Sequence, residues 1–231
     1  MFFPLRDDNP THAAPIVTGL LLVANAAAFA FQIFGPLDPQ ALVEAYGLVP
    51  GRFDAGAANA LGPPWPTLIS SMFLHGDLFH LGGNLLYLWI FGNNVEDLLG
   101  RAKFLFFYLA CGIVAGLSHV LVNPASTVPT VGASGAVAGV LGAYLVAYPR
   151  ARVLTAVFIL FFIRLVEVPA AILLVFWFVM QSFQGFLSLG VRELSGGVAW
   201  FAHIGGFVAG VVGIRVLARD GLRALRASRI G

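Results

Sequence analysis

Apolar residues run along this chain in continuous blocks, with none of the strict alternation of a half-buried strand. Six blocks approach the roughly 20 residues that cross a bilayer as a helix: 13–33, 78–98, 104–122, 134–148, 168–189 and 200–217. Continuous blocks exclude a transmembrane β-barrel, whose strands alternate between lipid and lumen. Turn-forming clusters separate the blocks, among them Gly35-Pro36, Gly62-Pro63-Pro64, Asn123-Pro124 and Ser195-Gly196-Gly197. The pattern predicts one all-α polytopic membrane domain over residues 1–231, with no internal repeat and no appended soluble unit. The first loop, about 35–77, is longer than structureless loops usually run, so it is expected to carry internal order.

The segment 153–168, VLTAVFILFFIRLVEV, resists this count, being strongly apolar but short and carrying Arg164 and Glu167. A seventh crossing would leave only Glu167, Val168 and Pro169 to build a turn before the next block. The segment is therefore read as interfacial or re-entrant. Its β-branched and aromatic content also allows a short hairpin packed on the helices, with Arg164 and Glu167 paired.

Composition narrows the class further. The chain is 59% hydrophobic and 10% charged, against about 25% charged in ordinary soluble domains, and its mean hydropathy is +0.88. This excludes a soluble globular enzyme and a disordered chain. A single cysteine, Cys111, excludes a disulfide scaffold and reads as a small buried hydrophobe. With six spans, Arg6, Arg101, Lys103, Arg150, Arg152, Arg215, Arg219, Arg223, Arg226 and Arg229 fall on one side, and only Arg52 and Arg192 on the other. Short cytoplasmic loops collect positive charge, which places both termini in the cytoplasm. The net charge of +2 is thus a topology signal, and no basic patch points to nucleic acid.

Polar groups in the apolar zone are costly, so each is a functional candidate, with interhelical contact as the rival reading. His80 and Asn84 lie four apart near the start of the second span, on one helical face. Ser134 opens the fourth span, and His203 lies near the start of the sixth. In a six-span chain these three spans run in the same direction, which brings His80, Ser134 and His203 to similar depth near the outer surface. His119 and Ser118 share that outer half. Gly135 and Gly139 line a small-residue stripe beside Ser134, and His203, Gly206 and Gly210 share a face, so the two helices are expected to approach closely. An imidazole within reach of the Ser134 hydroxyl is the first requirement for activating it as a nucleophile. The helix N-terminus at Ser134 offers free N–H groups where an oxyanion would form, and His80 and Asn84 add side-chain donors. No carboxylate sits in the apolar part of these spans to orient His203, so the pair is a dyad.

Plainer readings compete. Ser134 alone is more often a packing residue whose hydroxyl bonds back to a carbonyl. Two histidines among His80, His203 and His119 would suit a bis-histidine haem carrier. A transporter would show midplane charges or broken helices, and a zinc protease the HExxH arrangement; neither is present in the sequence. Glu96 and Asp97, near Arg101, are read as an ion-pair network that orders a loop. His75 is read as loop-facing, without a chemical role.

Taken in order, the motifs His75-Gly-Asp-Leu-Phe-His80-Leu-Gly-Gly-Asn84, Gly92-Asn-Asn-Val-Glu96-Asp97, Gly132-Ala-Ser134-Gly135 and Ala202-His203-Ile-Gly-Gly206 resemble the rhomboid family of intramembrane serine proteases over nearly the whole chain. The resemblance implies a six-helix core with Ser134 as nucleophile and His203 as general base. His80, Asn84 and the Ser134 N–H would line the oxyanion site. It further implies transmembrane protein substrates cut near the outer membrane face, lipid as the surroundings, no metal or cofactor, and the fifth span as the substrate gate. A multi-pass protein of a bacterial inner membrane is expected, with a non-catalytic helix-binding relative as the alternative. In the fifth span, Phe176, Trp177, Phe178, Phe183 and Phe186 either plug that gate or face lipid. Two positions depart from the family pattern. Arg52 and Trp65 are separated where many relatives carry an adjacent Trp-Arg pair, and Ala138 stands where many carry an aromatic residue against the histidine.

Overall fold

A computed structural model of the chain describes residues 2–54, 61–159, 162–188 and 199–227. Leu189, Arg192, the Ser195-Gly196-Gly197 linker and Arg229 lie outside the described residues. In chain order the elements are strand β1 (Phe2–Asp7), α1 (Ile16–Phe34), α2 (Pro39–Tyr46), α3 (Thr67–Ser70), α4 (Leu78–Leu99), α5 (Arg101–Val122), α6 (Ser134–Ala147), β2 (Arg152–Ile159), β3 (Phe162–Pro169), α7 (Ala170–Ser188), α8 (Trp200–Leu217) and α9 (Arg219–Ala227). Helices α1, α5, α7 and α8 are long and apolar enough to cross a membrane, and α6 is a shorter apolar helix. The chain is a mostly helical, integral multi-pass membrane protein.

Helix α6 stands at the centre. Nearly all of it from Gly135 to Tyr144 is buried, as expected of a helix that is apolar on every side. Its 14 residues span only about 21 Å at 1.5 Å per residue, less than the roughly 30 Å hydrocarbon thickness. Since Tyr148, just past its end, reaches the carbonyl of Asn94 on α4, its other end, Ser134, begins inside the thickness that its neighbours cover.

Helix α8 packs directly on α6. A Cβ added at Gly206 would collide with the carbonyl oxygen of Gly135, and one added at Gly210 with that of Gly139. Backbones this close admit only glycine. The stripes expected from the sequence thus meet with Gly135 against Gly206 and Gly139 against Gly210. At the opposite end of α6 from Ser134, an aromatic cluster closes the core, with Phe91 edge-on to Tyr144 at 4.9 Å.

The all-helical expectation needs one amendment: a three-stranded antiparallel sheet in the order β1-β2-β3. The segment 153–168 is a hairpin, registered from Arg152 opposite Pro169 to Ile159 opposite Phe162. The N-terminal strand, which carries no hydropathy signal of a span, pairs with β2. It is held to the bundle by the Tyr144 hydroxyl, which donates to Asp7; burial raises the Asp7 carboxyl above its usual range. Arg164 faces Val157 across the hairpin, and the ion pair of Glu167 is with Arg152 at 3.2 Å, correcting the expected Arg164 partner. In antiparallel register the side chain directly across from Leu154 is that of Glu167, and Arg152 lies two residues along the same face. Backbone N–H groups of Ala170 and Ala171, at the start of α7, donate to the carbonyls of Ala151 and Pro149. The fifth block therefore becomes helical at Ala170, after Val168 and Pro169 have finished the strand.

Glu96 and Asp97 serve another end than a cation. Glu96 accepts from the N–H groups of Val17 and Thr18 and from the Thr18 hydroxyl, at 2.7–2.9 Å. Asp97 accepts from the N–H groups of His12 and Ala13, both at 2.9 Å. Glu96 thus caps α1 from α4, meeting donors that a helix start leaves unpaired, and Asp97 holds the residues that lead into it. The described residues of the long first loop carry α2 and α3; Phe53 packs edge-on to Trp65 at 5.2 Å and Arg52 donates to the Gly62 carbonyl.

Candidate active site

Ser134 is the first residue of α6, which starts without a side-chain cap. Its leading N–H groups are therefore free to meet an anion, and the positive end of the helix dipole faces the same way. The chain enters through Gly132, whose φ of +125° lies in the region that side chains disfavour. Gly132 N–H donates to the Ser71 carbonyl at 2.9 Å, which fixes the turn.

The imidazole of His203 comes from the first turn of α8 and is buried. Its Nε2 lies 2.8 Å from Ser134 Oγ, within hydrogen-bond distance. Its Nδ1 lies 2.6 Å from Gln181 Oε1 on α7. An amide oxygen only accepts, so Nδ1 carries the proton and donates to Gln181, which leaves the Nε2 lone pair to accept from the serine hydroxyl. Both ring nitrogens are thereby occupied, which leaves His203 no lone pair for the haem iron considered above. An imidazole N–H without a partner at this depth would cost about 1–3 kcal/mol.

Two indole rings hold the imidazole. Trp177 on α7 has its ring centre 5.8 Å away, tilted by 38°, and Trp200 meets it edge-on at 6.2 Å. These side chains occupy the role that Ala138, buried in α6, is too small to fill.

His80 joins the site from α4. A Cβ on Gly132 would stand 2.7 Å from His80 Nε2 and Cε1 and 3.7 Å from Ser134 Oγ. The ring thus lies against the turn that leads into Ser134. Asp77 caps α4 by accepting from His80 N–H at 2.7 Å, which seats the histidine in the first turn. Asn84 is buried one turn deeper, and its amide donates to the His80 carbonyl at 3.0 Å, with one N–H to spare.

His75 differs from its reading as loop-facing. It is fully buried, its ring edge-on to that of His80 at 5.3 Å, and its backbone is paired with the Gln32 side chain. Burial, helped by His80 beside it, pushes its imidazole down to about 4, so it stays neutral. His119 is engaged elsewhere, 3.1 Å from the Thr130 hydroxyl and 3.3 Å from Asn123, where it clasps the loop before Gly132. A cavity of about 30 Å³ borders Ser134, with Ser71, Thr130 and Gly132 in its wall. That is room for one or two water molecules.

Sequence reasoning missed Gln181 and Asp77, and read Trp177 as a gate plug or a lipid-facing residue rather than as a neighbour of His203. The signal for Asp77 was an acidic residue three before His80, in the N-cap position. For Gln181 it was an amide in the middle of an apolar block, four residues from Trp177 and so on its face.

A serine hydroxyl within hydrogen-bond distance of an imidazole at an uncapped helix start, inside a multi-pass helical bundle, defines a membrane protein with a polar serine–histidine pair in its core. The rhomboid domain family model matches residues 63–220, and the chain belongs to the rhomboid family. It is 31% identical over 150 residues to rhomboid protein 1, mitochondrial, of Saccharomyces cerevisiae, covering 63% of this chain and 40% of that protein. The putative rhomboid protease YdcA of Bacillus subtilis is 33% identical over 131 residues, 57% of this chain and 61% of the relative. Rhomboid protease GluP of the same organism is 41% identical over 81 residues, 35% of this chain and 15% of the relative. The chain spans less than two thirds of the length of each of these relatives.

Proposed function

We propose that the chain is an intramembrane serine endopeptidase that cuts transmembrane-helix substrates near the outer membrane face, with Ser134 as nucleophile and His203 as general base. The observation that carries this reading is the 2.8 Å contact of Ser134 Oγ with His203 Nε2 at the uncapped start of α6. Relatives named as rhomboid proteases support it.

In this reading, Ser134 Oγ attacks the scissile carbonyl carbon as Nε2 takes the hydroxyl proton. The carbonyl oxygen becomes an oxyanion, met by the Ser134 N–H and by donors from His80 and Asn84. As the C–N bond breaks, His203 returns the proton to the leaving amine. Water from the cavity beside Ser134 then attacks the acyl carbon and gives its proton to Nε2, releasing the acid and restoring the serine. No step calls for a metal or cofactor. A peptide bond within a helix is covered by its own hydrogen bonds, so the substrate must unwind locally on entering from lipid. The topology that fits has six crossings with both termini in the cytoplasm, in a bacterial inner membrane.

The test is cleavage of a transmembrane substrate in liposomes by the parent chain, Ser134→Ala and His203→Ala. The parent is expected to cleave, with both variants reduced to background, on the order of 10³-fold or more. Cleavage by either variant at the parent rate overturns the reading.

A further inference from the structure

We propose that Gln181 is a positioning residue for His203, holding the imidazole in the one tautomer that can take a proton from Ser134. The inference rests on the protease reading and names a residue that the motifs of the family resemblance do not contain.

A neutral imidazole has two tautomers, and only one is useful here. With the proton on Nε2 the ring would donate to Ser134 Oγ and could not deprotonate it. The Gln181 Oε1, 2.6 Å from Nδ1, rewards the proton on Nδ1 and so keeps the Nε2 lone pair on the serine. When His203 becomes an imidazolium, its Nδ1–H is a stronger donor, so the contact tightens in the transition state, where it counts. Among the described residues, the remaining polar or titratable groups around His203 are Ser134 on α6, His80 on α4 and His119 on α5. None of these is a carboxylate, so the amide does the orienting task of a third triad member without burying an anion in the bundle.

The location of Gln181 adds a consequence. Ser134 and His203 sit on α6 and α8, whose backbones touch at glycines. Gln181 sits on α7, seated on α8 by Trp177 and Phe178 against Phe207 and by Gly185 against Trp200. Moving α7 away from α8 would leave the serine–histidine pair in place and remove the acceptor behind it. The base is thus set for proton transfer while α7 is seated.

The experiment compares the parent with Gln181→Met, which keeps the length and loses the acceptor, and Gln181→Glu, which keeps an acceptor and adds charge. Cleavage in liposomes gives kcat, KM and the pH profile. The rate at which a fluorophosphonate labels Ser134 reports on nucleophile activation without substrate entry. Gln181→Met is expected to lower kcat and the labelling rate together by at least about 10-fold, with KM within about twofold and a thermal midpoint lowered only by the loss of one buried hydrogen bond. Gln181→Glu is expected to keep cleaving, with the acid limb of kcat/KM moved to higher pH, because a carboxylate favours the imidazolium. Parent-like kcat and labelling in Gln181→Met overturn the inference. Should that variant not fold, an unmoved acid limb in Gln181→Glu overturns it. A parent that neither cleaves nor labels removes the protease reading itself.

Discussion

Helices α6 and α8 meet backbone to backbone at Gly135, Gly139, Gly206 and Gly210, whereas α7 meets α8 mainly through side chains, with only Gly185 bringing its backbone against Trp200. On α7 only Ala170, Leu173, Leu174 and Gly185 are buried, and Phe178 stacks on Phe207 at 4.5 Å. Phe176, Phe183 and Phe186 point outward, between 49% and 71% exposed, so of the five aromatics that could have filled a gate, Trp177 and Phe178 are the ones turned inward. The contrast separates two tasks. Glycine contacts leave no slack, because a shift of one helix toward or along the other drives a carbonyl into it, and this keeps Ser134 and His203 in register. Side-chain contacts tolerate rotamer changes and small tilts, which fits the proposal that α7 moves relative to α8.

Substitutions can break or sharpen this contrast. The largest effect is expected from Gly206→Val, whose side chain would enter the space of the Gly135 carbonyl. Overpacking of this kind costs about 1–3 kcal/mol and more against backbone, so the thermal midpoint in detergent should fall sharply and cleavage should vanish with it. A parent-like midpoint would mean that the two backbones are not in contact. Next comes Trp177→Ala, which removes a ring from both His203 and Phe207. A fall in cleavage of roughly tenfold is expected with a loss of about 1–2 kcal/mol in stability, below the full cost of a buried aromatic because Trp177 is only half-buried. Equal and large losses in both measurements would make α7 as rigid a part of the core as α6. The smallest effect is assigned to Phe183→Ala on the outward face, within about 0.5 kcal/mol in stability and twofold in cleavage rate. A large drop in cleavage alone would place that face in substrate contact.

How legible these features were depends on the range of the interaction involved. Ser134, His203, His80 and Asn84 could be picked out because polar groups stand out in apolar blocks and because the glycine stripes said which faces could approach. Gln181 stood out equally in composition. Its role stayed hidden because nothing local tells whether an amide on α7 turns toward α8 or toward lipid. Glu96 and Asp97 were misread for a similar reason: Arg101 is close in sequence, while the donors at His12, Ala13, Val17 and Thr18 are close only in space.

The amino-acid sequence by itself determined which stretches form long apolar helices and which polar groups stand within them, since a span in lipid must satisfy its own backbone hydrogen bonds and its hydropathy is a local property. It also marked the apolar stretch 153–168 as no ordinary crossing. Tertiary structure alone decided that this stretch is a hairpin completed by the N-terminal strand, that carboxylates of α4 hold the start of α1 and the residues before it, and that a glutamine from α7 stands behind the imidazole. Each of those depends on how separate elements are rotated and docked, which is settled by long-range packing and so leaves no periodic trace along the chain.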